Sequence, residues 1–389
     1  MAELLRILHL ISTVNPTIGG PREGVAQMGG QLSALGHRVE VASCCDRPDD
    51  PWVKEFPLTV HGLGPAFLRY GYSHRLAPWM QSNIDRFDAV IINGLWQYHG
   101  FGAYSELRRR NKPYFVFTHG MLDPWSRKAY PAKYLKKLFY WTAFEYRLLK
   151  NASGVFFTSD EECRLARRYF PFWNWKEIVV GYGISPPDPN EGRQAERLFS
   201  AFPQLRGKRL ILSLSRIHEK KGIDILIHAF SQVCTMDAGL HLLIAGSGVA
   251  HYEQRLKALV ASLGLTEKVT WTGLIRDDLK WGAFRLAELY VLPSHQENFG
   301  ISVAEALACS TPVLITNKVN IWREIEERRA GLVCNDDVKS LAQTMRKWIG
   351  FHANERESFR RRALECYQRC FSARMPADNI RMAIESVLK

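Results

Sequence analysis

Short apolar runs rich in Val, Ile, Leu and Phe alternate along the chain with longer amphipathic segments. In the first half the runs are RILHLIS, HRVEVAS, LTVHGL, DAVIING, PYFVFTH, SGVFFTS and EIVVGYG. Such strand and helix alternation predicts a parallel sheet covered on both faces. The pattern breaks at GISPPDPNEGRQ, Gly183 to Gln194, where Pro, Gly and charge read as a connection between domains. It then restarts with KRLILSLSR, LHLLIAGSG, EKVTWTG, AELYVLPS and TPVLITN, separated by helical stretches such as GIDILIHAFSQV and HYEQRLKALVASLG. The expected fold class is α/β, with two doubly wound halves of similar size. The segments ERESFRRRALECYQRC and MPADNIRMAIESVLK read as terminal helices.

In open parallel sheets, ligands sit beyond the carboxyl ends of the strands, so residues just after each apolar run are the candidates for chemistry. The stretch SHQENFGISVAEALACSTP, Ser294 to Pro312, follows the strand AELYVLPS. A helix starting near Gly300 would aim free N–H groups and a positive dipole end at a phosphate. Glu297 before that helix and Glu305 inside it could each accept hydrogen bonds from sugar hydroxyls. The pair therefore suits a ligand with hydroxyls at both ends and a diphosphate between them, a nucleotide-sugar. A purely structural alternative stands beside it: Ser302 and Glu305 form an S-x-x-E capping box, and Glu297 opposes the helix dipole.

A second motif, SRIHEKKGID, closes the strand LILSL; Arg216 and Lys221 straddle a tight loop ended by Gly222 and could neutralise a leaving diphosphate from two directions. After the first strand of the chain, Gly19 and Gly20 permit a backbone turn before a helix. Neither this pair nor GSGVAH after Ala245 has the G-x-G-x-x-G spacing of a dinucleotide site. His119 in THGMLDPW follows another strand, where it meets a transferred sugar or serves in packing, and NGLWQYHG adds Asn93, Trp96 and His99.

The chain of 389 residues, 46% apolar, is long enough for two cores. Its 52 Lys and Arg against 39 Asp and Glu leave a net charge of +13, which favours acidic partners. No RNA-binding or helix-turn-helix signature occurs, so nucleic acid is not the expected one. The eight cysteines lack disulfide-framework or zinc spacing and read as reduced thiols. No D-x-D occurs, so no metal site and no cofactor is expected. With no apolar run of membrane-spanning length and no signal peptide pattern, a cytoplasmic location is expected. Trp125 to Lys150 mixes basic and aromatic residues, which marks an anionic membrane surface as a docking candidate, with Lys133, Lys136 and Lys137 among its charges.

With Glu297 and Glu305 flanking NFG, Arg216 and Lys221 in SRIHEKKGID, and the Gly19–Gly20 loop, the chain resembles glycosyltransferase family 4 over nearly its whole length. NGLWQYHG, THGMLDPW and VNIWREI further resemble a bacterial subgroup associated with surface-polysaccharide assembly. The resemblance implies a GT-B fold, two Rossmann-like domains facing a cleft with a C-terminal helix crossing back. The boundaries are then 1–185 for the acceptor-binding domain, 186–207 for a linker, 208–371 for the nucleotide-sugar domain, and 372–389 for the returning helix.

By the same resemblance, Glu297, Arg216, Lys221 and His119 carry the chemistry. Gly19, Gly20, Glu305, Asn298, Phe299, Gly300 and Ile301 bind substrate. Asn298 stands where many members carry glycine, a departure that stiffens the loop. The implied activity is retaining, metal-independent transfer from a nucleotide-sugar to a saccharide or lipid-linked saccharide. A nucleotide-sugar epimerase and a non-catalytic partner subunit on the same scaffold are the alternatives.

Overall fold

The computed structural model describes residues 4–68, 70–124, 127 and 131–389, with side chains undescribed at 131–133. Among them are two compact units: residues up to Ser185 together with Ala373–Lys389, and Pro186–Ser372. The first holds a seven-stranded sheet, all neighbours parallel, of β1 (Arg6–Ile11), β2 (Arg38–Ser43), β3 (Thr59–Gly62), β4 (Ala89–Asn93), β5 (Tyr114–Phe117), β6 (Gly154–Phe157) and β7 (Glu177–Val179). Its order is β3-β2-β1-β4-β5-β6-β7, so the winding direction reverses between β1 and β4.

The second unit holds a six-stranded parallel sheet of β8 (Arg209–Leu214), β9 (Leu240–Ala245), β10 (Val269–Gly273), β11 (Ala287–Leu292), β12 (Val313–Thr316) and β13 (Gly331–Cys334). In the order β10-β9-β8-β11-β12-β13 the reversal lies between β8 and β11. Each apolar run read from the sequence contains one strand. The central strands β4, β5 and β9 are buried along their whole length, because helices cover both faces. In the second unit Ile211, Leu242, Leu289, Val291 and Leu314 meet Leu226, Phe230, Leu341, Met345 and Trp348 in one core.

Two features depart from the sequence reading. The edge strand β13, GLVC, has no counterpart among the apolar runs; it is short and opens on Gly331, where a Cβ would sit 2.1 Å from the Val313 carbonyl oxygen. Residues 186–207 are not a linker but part of the second unit, which runs from Pro186 to Ser372. After the Pro-rich start, helix Glu191–Ala201 packs on helix Asp277–Leu286. Gln194 is fully buried there, with its amide oxygen accepting from Arg285 Nε at 2.8 Å. A local excess of Pro and charge hid an ordered helix whose stability comes from its tertiary contact.

In the first unit, helix Arg374–Leu388 packs on helix Gly20–Ala34, and Asn379 donates to the Val180 carbonyl at 3.0 Å. Helix Pro131–Tyr140 runs into a π turn, Trp141–Glu145. Trp96, at φ +72°, packs among Tyr140, Trp141 and Phe170, so its ring is a packing element. The fully enclosed Glu145 carboxylate accepts the Trp96 backbone N–H at 2.6 Å, while its second oxygen is buried with no hydrogen-bond partner among the described residues. Burial raises the Glu145 carboxyl to about 7, against the opposing Trp96 hydrogen bond and the Lys137 charge.

A methyl at Gly282 would lie 2.2 Å from the Gln194 carbonyl oxygen, so Gly282→Ala forces the two helices apart. The expected loss is about 1–3 kcal/mol, read as a lower thermal midpoint of the second unit. For Glu145, the folded pKa lies above the unfolded one, so its contribution is complete below the ordinary carboxylate value and lost as pH rises through about 7. Glu145→Gln is therefore expected to flatten the fall in thermal midpoint between pH 5 and pH 8. An unchanged slope would show that the carboxyl ionises normally.

Candidate functional site

The loops after β8 and β11 meet at the point where the second sheet reverses its winding. Their backbones touch: a Cβ at Gly222, which sits at φ +61°, would lie 2.2 Å from the Pro293 carbonyl oxygen, and His295 N donates to Lys220 O at 2.8 Å. From the neighbouring β9, Gly246 and Gly248 admit the same loop, since a Cβ on either would fall 1.8 Å from Ser215 O and 2.0 Å from Ile217 O. The GSG after Ala245 is thus a packing device rather than a nucleotide fingerprint.

This approach brings Lys221 Nζ onto Glu297 Oε2 in an ion pair, both side chains largely buried, and seats Lys220 Nζ 2.6 Å from Gln296 Oε1. The loop after β12 holds Glu297 from the other side: Glu297 N donates to Lys318 O at 3.0 Å, and Asn320 N donates to Glu297 O at 3.0 Å. Arg216 is exposed, and its guanidinium has no hydrogen bond or ion pair among the described residues.

Helix Ile301–Ala308 begins at Gly300, whose φ of +75° lets the chain turn sharply into the first turn. Gly300 carries no capping side chain, and the S-x-x-E box does not form. Ser302 is already inside the helix, with its hydroxyl 2.6 Å from the Tyr290 hydroxyl, which in turn donates to Leu214 O. Glu305 pairs instead with Lys280 Nζ at 2.8 Å. Two carboxylates, each held by a lysine, therefore flank the amino end of one helix, the end whose N–H groups lack intrahelical acceptors. Asn298 Oδ1 faces Asn320 Nδ2 at 3.4 Å, Phe299 is buried edge-on to Phe371, and Ile301 is half-buried at the helix start.

Lys280 escaped the sequence reading, because helix Asp277–Leu286 carries no motif and meets Glu305 only through tertiary packing. Lys220 and Gln296 lie inside the motifs already singled out. Position beside Lys221 and Glu297 on loops of facing strands was the signal that could have found them.

The other sequence candidates lie in the first unit, near the β1–β4 reversal. Gly19 takes φ +73° and caps helix Gly20–Ala34; a Cβ on either Gly19 or Gly20 would meet nothing within 4 Å. Conformation, not a crowded neighbour, thus requires the glycine at position 19. The Gly20 carbonyl accepts from the Tyr182 hydroxyl at 2.9 Å.

His119 follows β5 at φ +47° and stacks on Phe117 with ring centroids 4.3 Å apart. Its Nε2 donates to Asn93 Oδ1 at 3.1 Å, and the Asn93 amide faces His9 Nδ1 at 3.2 Å. Burial, helped by the nearby His9, lowers His119 to about 3, so the ring is a neutral hydrogen-bonding group near pH 7. His99 donates to the Asn93 carbonyl at 3.0 Å and is likewise held neutral by burial.

Residues 19–183 match the family described as Glycosyl transferase 4-like domain, and residues 195–365 match Glycosyl transferases group 1. The chain is 35% identical over 146 residues to mannosylfructose-phosphate synthase of Agrobacterium fabrum, 36% of this chain and 32% of that protein. It is 23% identical over 370 residues, 93% of this chain and 92% of the other, to the GDP-mannose:cellobiosyl-diphosphopolyprenol alpha-mannosyltransferase of Xanthomonas campestris. With most of the curated relatives it matches, the chain spans only about a third to a half of their length, from 31% to 48%.

Among solved structures, a glycosyltransferase from Rickettsia africae aligns at TM-score 0.79 and 18% identity, covering 100% of this chain and 99% of that one. Anabaena HepE in complex with UDP-glucose aligns at TM-score 0.77 and 17% identity, covering 98% and 100%. Two Rossmann-like parallel-sheet units, matched one after the other by these families, make this chain a member of the family 4 type of GT-B glycosyltransferases, with a glycosyl transferase 4-like domain followed by a group 1 domain.

Proposed function

We propose that the chain transfers a sugar from a nucleotide-sugar to a saccharide or lipid-linked saccharide acceptor in polysaccharide biosynthesis, with retention at the anomeric carbon and without a metal ion. The carrying observation is the pair of lysine-held carboxylates, Lys221–Glu297 and Lys280–Glu305, on either side of the amino end of helix Ile301–Ala308. HepE, crystallised with UDP-glucose, and the Xanthomonas relative, named for GDP-mannose and a diphosphopolyprenol acceptor, support a nucleoside diphosphate sugar as donor and a lipid-linked acceptor.

In this reading Glu305 accepts the ribose hydroxyls and Lys280 fixes its orientation. The diphosphate lies along the N–H groups at Gly300 and Ile301, lined by Asn298 and Phe299. Lys221 and Arg216 stabilise the charge that grows on the departing phosphate as the anomeric carbon becomes cationic. Glu297 holds the sugar hydroxyls rather than forming a covalent bond, and the leaving phosphate takes the acceptor proton on the face it departs from. Two cations at the phosphate replace a divalent ion's neutralising role. In the first unit, neutral His119 can accept a hydroxyl's hydrogen bond, and the Gly19–Gly20 turn leaves backbone accessible.

The first unit also supports a peripheral membrane role. On helix Pro131–Tyr140, Leu135 and Phe139 are 66% and 75% exposed and one helical turn apart, with exposed Lys136 between them. Trp125, Ser126, Lys128, Ala129 and Tyr130 of this basic-aromatic stretch, and the Lys133 side chain, lie outside the described residues. No described helix is long and apolar enough to cross a membrane.

Lys221→Ala and Glu297→Ala are each expected to lower kcat by about 10²–10³, with circular dichroism unchanged, and Glu305→Ala to act mainly through KM. Wild-type turnover should be indifferent to chelator, and donor incubated alone should yield no epimer. Full transfer by the Lys221 variant would defeat the assignment. Flotation with anionic liposomes should fall several-fold in the Lys136→Glu, Phe139→Ser double variant and fall again with added salt; equal flotation by both proteins would discard the membrane role.

A further inference from the structure

Of the eight free cysteines, five besides Cys366 are buried: Cys44, Cys163, Cys234, Cys309 and Cys334. Burial pushes Cys163, Cys309 and Cys334 up to about 12, and the half-buried Cys45 up to about 11 with help from Asp46. The end of helix Ala353–Cys366 is built differently. Cys366, fully buried, closes that helix, and Cys370 follows one turn later in the π turn Tyr367–Phe371, half-exposed.

Arg328 Nε donates to the Cys370 sulfur at 2.9 Å, while the Cys366 thiol donates to the Glu324 carbonyl at 3.9 Å. The neighbouring Cys366 thiol, and then the Arg328 charge, lower the Cys370 pKa against burial and the opposing Glu324 carboxylate. The neighbouring Cys370 and burial raise Cys366, which stays a protonated thiol. One sulfur thus carries a cationic donor at a half-exposed position and the other is a buried, protonated thiol one turn before it, the division of labour a redox dithiol needs.

Backbone geometry admits the bond. Residues four apart in a helix rise about 6 Å, inside the roughly 4.4–6.8 Å over which disulfides span Cα pairs. We propose that Cys366 and Cys370 form a reactive dithiol that hydrogen peroxide converts to a disulfide. The Cys370 thiolate attacks one peroxide oxygen and the O–O bond breaks, giving a Cys370 sulfenic acid and hydroxide. Cys366 sulfur then attacks the Cys370 sulfur, the S–O bond breaks, and that oxygen leaves as water with the Cys366 proton. The two sulfurs together lose two electrons, and the peroxide gains them.

The turn that would be cross-linked holds Phe371 against Phe299, and Arg328 caps helix Trp322–Glu327, which follows the loop bonded to Glu297. The dithiol therefore sits behind the second unit's candidate site, yet its chemistry can be tested without any reading of that site.

The test uses the full chain, with iodoacetamide alkylation followed by peptide mass spectrometry over a pH series. Cys370 should alkylate about threefold faster at pH 7 than a thiol of ordinary pKa near 8.5. Arg328→Ala should remove part of that advantage, and the sulfur–guanidinium contact with it. Dilute peroxide should then give a peptide carrying both cysteines that is lighter by two hydrogens and restored by reductant. In Cys366→Ser the product should stop at a sulfenic acid on Cys370 that dimedone traps. Alkylation of Cys370 no faster than an ordinary thiol, or sulfinic acid on wild-type Cys370 with no disulfide, would overturn the proposal; should the serine variant fail to fold, the wild-type measurements decide alone.

Discussion

The second unit depends on backbone meeting backbone where its sheet changes winding direction. Gly222 against Pro293, Gly246 against Ser215 and Gly248 against Ile217 each leave less room than a Cβ needs. The loops after β8, β9 and β11 therefore interlock as main chain, with no side chain between them. The consequence is chemical. Only at that separation does a lysine at the end of one loop reach a carboxylate on the next, and only then does the β11 loop turn at Gly300 into helix Ile301–Ala308. A larger residue at any of the three glycines would part the loops before it touched a single charged group.

Much of this was legible in the residues, for a definable reason. Strands buried on both faces must be apolar at consecutive positions, so DAVIING, PYFVFTH and LHLLIAGSG announce themselves, and the residues following them mark the functional edge. Glu297 and Lys221 could be singled out because each closes such a run. What stayed hidden rests on contacts between distant segments. The helix Glu191–Ala201 follows a Pro-rich start and owes its place to Gly282 and Arg285 on another helix. The short β13 opens on a glycine chosen for its closeness to Val313. Lys280 sits on a helix with no motif at all, and the competing capping-box reading of Ser302 and Glu305 failed because Tyr290 claims the serine and Lys280 the glutamate.

The first unit shows a different use of burial. His119, Asn93, His9 and His99 form a chain of hydrogen bonds beside β1, β4 and β5, in which every ring is kept uncharged by its surroundings. A neutral imidazole in a positive-φ turn can orient a hydroxyl, but it cannot serve as a cation for phosphate. The candidate residues of the two units thus differ in kind: neutral, hydrogen-bonded rings around Asn93 in the first, lysine–carboxylate pairs in the second.

Those paired charges also constrain how a ligand can enter. Lys221 and Glu297 are both largely buried, and pulling one from the other would leave an unpaired charge, a cost of several kcal/mol. A diphosphate that simply displaced Glu297 from Lys221 would incur that cost in full. An ammonium, however, has three N–H donors, so Lys221 can hold the carboxylate with one and a phosphate oxygen with another. Glu297 then keeps lone pairs for hydroxyl donors. In the proposed reading the pair favours a ligand that brings anionic oxygens and hydroxyl groups together over one that brings anionic oxygens alone, because only the former satisfies both members at once.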